Sequence, residues 1–223
     1  MQQHLWKVLW LWVPLALMAV QIYIEITIPA YISKIIHSET GPHEKLQFLL
    51  AVGGFIYALF CLPLALKKCD ALLTTWVSCF VVGCLYIAGE EISWGQHIFN
   101  WSTPEFWGNV NDQGETNLHN ASSWLDQKPR LILLIGVVTG GIIIPTLQKF
   151  KPHMLPKKFN IIYPPGQLML IAGIALGVKI IDKLDKNMDD IIFFRRASEV
   201  EELYLFYFVL LYLLILKKRL MNT

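Results

Sequence analysis

The stretch LQFLLAVGGFIYALFCLPLAL, Leu46 to Leu66, decides the fold class. It contains no charged residue, and an apolar run of about 20 residues is what an α-helix needs to cross roughly 30 Å of hydrocarbon. Lys67, Lys68 and Asp70 follow, and a second apolar run then extends from Ala71 to Gly89. Two such runs around a short polar turn read as a pair of membrane helices. Four further segments read the same way, Val8 to Ile32, Leu131 to Gln148, Gln167 to Ile181 and Tyr204 to Leu216. The last two are short and need flanking polar residues to complete a span. Composition agrees: 55% of the 223 residues are hydrophobic and 16% charged, against about 45–50% and 25% in a typical soluble domain. The expectation is an all-α polytopic membrane protein, one membrane domain over residues 1–223. It has six transmembrane helices and a long interfacial loop, residues 90–130, between helices 3 and 4.

The first run starts behind Lys7 and continues past the roughly 7–15 residues of a signal-peptide core with no small-residue cleavage site, so it is expected to remain as a membrane helix. Lys and Arg in short loops favour the cytoplasm. With the N-terminus inside, ten of the 19 basic residues (Lys7, Lys67, Lys68, Lys149, Lys151, Lys157, Lys158, Lys217, Lys218 and Arg219) fall on the inner side with the single acid Asp70. Both termini are therefore expected in the cytoplasm. Nineteen Lys and Arg face 17 Asp and Glu without a large basic cluster, which argues against nucleic-acid binding. Cys61, Cys69, Cys79 and Cys84 lie in or beside the second and third spans, with no CxxC spacing and no disulfide framework.

Polar chemistry concentrates in the loop. Trp94, Trp101, Trp107 and Trp124 are half of the chain's Trp residues, and indole rings prefer the headgroup level. The loop carries Gly89-Glu-Glu-Ile-Ser-Trp-Gly-Gln-His97 and Asn109-Val-Asn-Asp-Gln-Gly-Glu-Thr-Asn-Leu-His-Asn120. If the third helix continues, Glu90 and His97 share a face; Glu115 and His119 have the i, i+4 spacing that aligns side chains on a helix. Carboxylates and imidazoles so spaced suit general acid–base work, or can hold a divalent metal. The candidate catalytic residues are Glu90, Glu91, Glu115 and His119, and the candidate metal ligands are Glu91, His97, Glu115 and His119. Thr103-Pro-Glu105 reads as the start of a short interfacial helix. The bland alternative is a pair of acids ending a span followed by a capped turn.

Two charges interrupt apolar spans, Glu25 in the first and Lys179 in the fifth. Isolated charges in lipid are costly, and both come late in parallel spans, so they are expected to meet each other or share an outer cavity. Spans four and five carry the small-xxx-small patterns Gly136/Gly140 and Gly173/Gly177, which permit close helix approach. Ser198 and Glu201 have capping-box spacing at the head of the sixth span. Arg195 and Arg196 are placed to meet a phosphate or the outer carboxylates.

The strings Glu90-Glu-Ile-Ser-Trp-Gly-Gln96 and Asn111-Asp-Gln-Gly-Glu-Thr-Asn-Leu-His-Asn120 resemble the paired motifs of an uncharacterised family of bacterial multi-pass membrane proteins. The resemblance covers about a seventh of the chain and implies a bacterial inner-membrane protein, while transferring no activity or ligand. The late HxxxH motif of ceramidase-like membrane hydrolases is absent, since the last His is His153. The leading expectation is a membrane enzyme with an extracytoplasmic Glu/His site, acting on a membrane lipid or lipid-linked substrate by hydrolysis or group transfer. Arg195, Arg196, Trp94, Gln96 and Gln113 would bind that substrate. The alternatives are a transporter or ion-coupled permease, and a non-catalytic subunit or assembly factor. An enzyme should gather its acids at a closed-ended site, a permease should show a polar path through the bilayer, and a docking protein should leave the motif exposed.

Overall fold

Hydrocarbon offers no partners to backbone amides, so a spanning chain must satisfy them within its own helices. The computed structural model describes residues 2–36, 41–110, 114–118, 123–185 and 193–222, and these form helices with no strand. Four helices are long and apolar enough to cross a membrane: His4–Thr27, Pro42–Lys67, Ala71–Glu91 and Gln127–Phe150. The first is built from α1 (Gln2–Lys7), a π-helical turn (Val8–Trp12) and α2 (Val13–Thr27). It stops short of the expected Ile32 because Pro29 excludes helical geometry at the residue before it, and Ile28 is extended at φ −92°, ψ 129°. A short α3 (Ala30–Ile36) follows.

Next come α4 (Pro42–Lys67) and α5 (Ala71–Glu91), which pack along their length. Asp70 starts α5, its carboxylate accepting from Leu73 N at 3.1 Å. The loop contributes α6 (Gln96–Phe99) and α7 (Glu105–Val110). Then α8 (Ser123–Val138) runs through a second π turn (Thr139–Ile143) into α9 (Ile144–Phe150). Finally α10 (Met169–Asp185) and α11 (Ala197–Asn222) correspond to the two short runs. The first has 17 residues, extended at its start by a 3₁₀ turn at Gly166–Leu168.

Helix α11 is the axis of the molecule. Leu203 through Val209, Leu211 through Leu213, and Leu216 are all buried, so every face of its middle meets protein. It packs on α4, α10 and α8. Close approach between the fourth and fifth segments comes from a different glycine than the sequence patterns point to. A Cβ at Gly141 would lie 2.5 Å from the Ala172 Cβ and 2.7 Å from the Phe208 ring, whereas nothing lies within 4 Å of such an atom at Gly136, Gly173 or Gly177.

The chain direction gathers the starts of α4, α8 and α11 with the ends of α2, α5 and α10 at one end of the bundle. This is the acid-rich end. The opposite end carries Lys67, Lys68, Lys149, Lys217, Lys218 and Arg219.

Candidate functional site

At the acid-rich end the third helix does not continue through the first motif. It ends at Glu91, and Ser93, Trp94 and Gly95 follow with left-handed φ of 48°, 55° and 106°. Only glycine adopts this region without strain, at about 1–3 kcal/mol for other residues, so the local fold must be held by its surroundings. The turn folds Trp94 back onto the helix. Its ring lies against Gly89, where a Cβ would come within 2.9 Å, and its Nε1 donates to Glu90 Oε1 at 2.7 Å. The expected shared face of Glu90 and His97 is lost, because the left-handed turn breaks the helical phase. The His97 side chain lies outside the described residues.

The second motif is latched into this turn. Leu118 N donates to Glu90 Oε2 at 2.7 Å. Ser93 Oγ and Asn117 Nδ2 each donate to Glu115 Oε2 at 2.7 Å, and Asn117 Nδ2 also reaches Ser93 Oγ at 3.0 Å. Thr116 Oγ1 donates to Ser93 O at 2.8 Å, and Thr116 N donates to Gln96 Oε1 at 2.8 Å. Gln96 Nε2 donates to Thr103 Oγ1 at 2.9 Å, and that hydroxyl donates to Gly114 O. Glu90, Ser93, Glu115, Thr116 and Asn117 are all buried. The two motifs therefore meet, and Glu90 and Glu115 sit within one hydrogen-bonded latch. Residues 114–118 are not helical, so the i, i+4 alignment of Glu115 with His119 does not arise from a helix there. His119 and Gln113 lie outside the described residues. Thr103-Pro-Glu105 does open a helix, with α7 starting at Glu105 and Gly108 N donating to Pro104 O.

Glu91 belongs to different surroundings. One residue along the helix is about 100° around it, and this turns Glu91 away from the latch into the bundle. It lies within electrostatic reach of Glu44 on α4, Arg130 on α8, and Glu199 and Glu202 on α11. Arg130 Nε pairs with Glu202 Oε1 at 2.6 Å. Gln47 on α4 is fully buried and donates from Nε2 to Glu199 O at 3.0 Å, and to Glu199 Oε2 and Glu202 Oε2 at 3.4 Å each. The buried His43 ring bonds the backbone of Glu199. Four helices thus contribute to one polar cluster.

The remaining expected charges have their own partners. Glu25 accepts from Gln21 Nε2 at 2.9 Å and faces Arg195 Nε at 3.6 Å, while Arg195 Nη1 donates to Ile28 O at 2.8 Å. Lys179 pairs with Glu201 at 3.0 Å. The expected Glu25–Lys179 meeting is replaced by these two pairs, because the 193–202 segment brings its own charges to each helix end. Glu201 consequently serves Lys179 rather than a capping box, and α11 already begins at Ala197. Arg196 meets Glu199 at 3.5 Å. Both arginines therefore face carboxylates.

Glu91 and Glu115, the two described members of the expected metal set, have different neighbours. Among the described residues no three His, Cys, Asp or Glu are grouped to hold a metal ion. The sequence reading missed His43, Glu44, Gln47 and Arg130. One signal was available, since Gln47 is the sole strongly polar side chain in the Leu46–Leu66 run. No protein-family model matches this chain, and no curated protein or solved structure matches it.

Proposed function

We propose that this chain is an integral membrane enzyme that acts on a lipid or lipid-linked substrate, by hydrolysis or group transfer, at the extracytoplasmic face of a bacterial inner membrane. One observation carries the reading: the Glu91 carboxylate, next in sequence to a rigid latch, turns into a cluster that also holds His43, Glu44, Arg130, Glu199 and Glu202. Carboxylates and an imidazole in one place supply both proton acceptor and donor. The guanidiniums of Arg130 and Arg196 supply positive charge for an anionic headgroup or a developing oxyanion. In this reading Glu91 is the acid–base group, and Glu90 and Glu115 are positioning residues that hold the latch.

The alternatives fit less well. A docking protein would leave the motif exposed, yet its polar members are buried. A permease needs a polar path, yet beyond Gln47 and Glu202 the described interior between α4, α5 and α11 is lined by Leu50, Ala58, Cys84, Leu205, Val209 and Leu213. The cluster is closed-ended among the described residues. At its mouth Phe99, Trp101 and Phe106 are exposed, with Phe99 and Trp101 stacked at 6.0 Å. Aromatic rings there suit the headgroup level, where a lipid substrate would arrive.

Glu91→Gln tests the reading, because it keeps shape and removes the titrating group. Lipid extracts of cells lacking the protein, complemented with wild type or Glu91→Gln, are compared by mass spectrometry. Only wild type should restore the lipid profile, with turnover reduced at least about 100-fold in the variant. Full restoration by Glu91→Gln would end the enzyme assignment.

A further inference from the structure

We infer that the cluster at the acid-rich end binds one small monovalent cation, a proton or an alkali-metal ion, with Gln47 Oε1 as one of its ligands. Gln47 is fully buried, and its Oε1 has no hydrogen-bond partner among the described residues. The amide cannot gain by flipping. Its Nε2 faces three acceptors, Glu199 O, Glu199 Oε2 and Glu202 Oε2, and reversal would set the carbonyl oxygen against all of them. The orphan oxygen is thus fixed by its own neighbours, and an amide oxygen can be satisfied only by a hydrogen-bond donor or a cation.

Charge points the same way. Glu44, Glu91, Glu199 and Glu202 place four carboxylates against the guanidiniums of Arg130 and Arg196, and Arg196 is half exposed. His43 on α4 is the remaining titratable group at this point, and Lys179 is engaged by Glu201 on the neighbouring face of α11. Helix dipoles account for part of the acid surplus, since Glu44 and Glu199 lie in first turns, where a carboxylate is favoured. They do not account for Glu91. It ends α5, where the dipole opposes a negative charge. A buried deficit of positive charge beside an orphan carbonyl oxygen is the chemistry of a small cation site. A divalent ion would need a tighter acid set than any found among the described residues. The inference does not rest on the enzymatic reading, because its readout is binding alone.

The test uses the full-length protein in detergent and follows the thermal unfolding midpoint. A ligand that binds only the folded state raises the midpoint with its concentration. Sodium chloride is titrated against choline chloride at constant ionic strength and pH 8. A second series lowers the pH from 8 to 6 in choline. An alkali-ion occupant gives a saturable, sodium-specific rise; a proton occupant gives a rise on acidification that sodium does not reproduce. In either case Glu91→Gln should weaken the response at least tenfold, and Gln47→Leu should do the same where it folds. Identical sodium and acid responses in wild type and Glu91→Gln would overturn the inference.

Discussion

Gly89 and Glu90 show how single residues set the latch. The Trp94 ring occupies the space a side chain at 89 would need, so Gly89→Ala must displace the indole or bend α5. Overpacking of this kind costs about 1–3 kcal/mol, and the unfolding midpoint of Gly89→Ala should fall accordingly. Gly83 is the control on the same helix. Nothing lies within 4 Å of a Cβ there, so Gly83→Ala should leave the midpoint unchanged or raise it. Glu90 has an acceptor role at both oxygens, to Trp94 Nε1 and to Leu118 N. Glu90→Gln presents an NH₂ to one of those donors, and a lost charge-assisted bond plus an unsatisfied buried N–H costs about 1–3 kcal/mol. A midpoint equal to wild type for Glu90→Gln would show that the latch is not held by this carboxylate. At this scale the sequence was half legible. Residue types and spacing identified Glu90, Gln96 and Glu115 as members of one constellation. The left-handed pair Ser93 and Trp94, which converts a candidate site into a latch, left no signal beyond the neighbouring Gly95.

At the scale of elements, proline explains the two π turns. Each ends just before one, Pro14 after Val8–Trp12 and Pro145 after Thr139–Ile143. In the first turn Val13 N donates to Val8 O, five residues back. The next bond in that register would run from residue 14 to Leu9 O, and proline has no N–H to give. Tyr207 of α11 fills the position, its hydroxyl donating to Leu9 O at 2.6 Å, and Tyr204 donates to Pro14 O at 2.7 Å. Such a bond is worth about 0.5–1.5 kcal/mol net. Tyr207→Phe should lower stability by that amount, and by less in a Pro14→Ala background, where the restored N–H can serve the freed carbonyl. A double-mutant cycle on the unfolding midpoints measures the coupling; strict additivity would reject this account of the turn. The prolines were plain in the sequence, but which distant side chain repairs a broken ladder depends on how α11 docks. The same holds for Glu25 and Lys179, whose cost in lipid was legible while their partners, Arg195 and Glu201, were set by the 193–202 segment.

For the whole molecule, lipid as solvent makes long apolar runs hard to misread, and four of the expected spans are helices of membrane-crossing length. The remaining two differ for physical reasons. With its leading 3₁₀ turn, α10 reaches roughly the 30 Å of a hydrocarbon core. Helix α11 carries Glu199, Glu201 and Glu202 at one end and Lys217, Lys218 and Arg219 at the other, around a middle enclosed by protein. Charges unsuited to lipid are tolerated at both its ends because other helices, rather than lipid, surround it. Six crossings place the turn Lys67–Asp70 and the loop around Ser102 on opposite sides of the membrane, the former in the cytoplasm. Two reporters can read this. Cys69 is exposed in that turn, while Cys61 and Cys84 are buried. In a Cys79→Ser background, a membrane-impermeant maleimide should label Cys69 in inside-out vesicles and not in intact spheroplasts. With Cys69 also removed, Ser102→Cys should show the reverse, since Ser102 is exposed beside the latch. Labelling of both positions from the same side would break the crossing of α5, and labelling of Ser102→Cys from the cytoplasm alone would invert the molecule and move the cluster to the inner face.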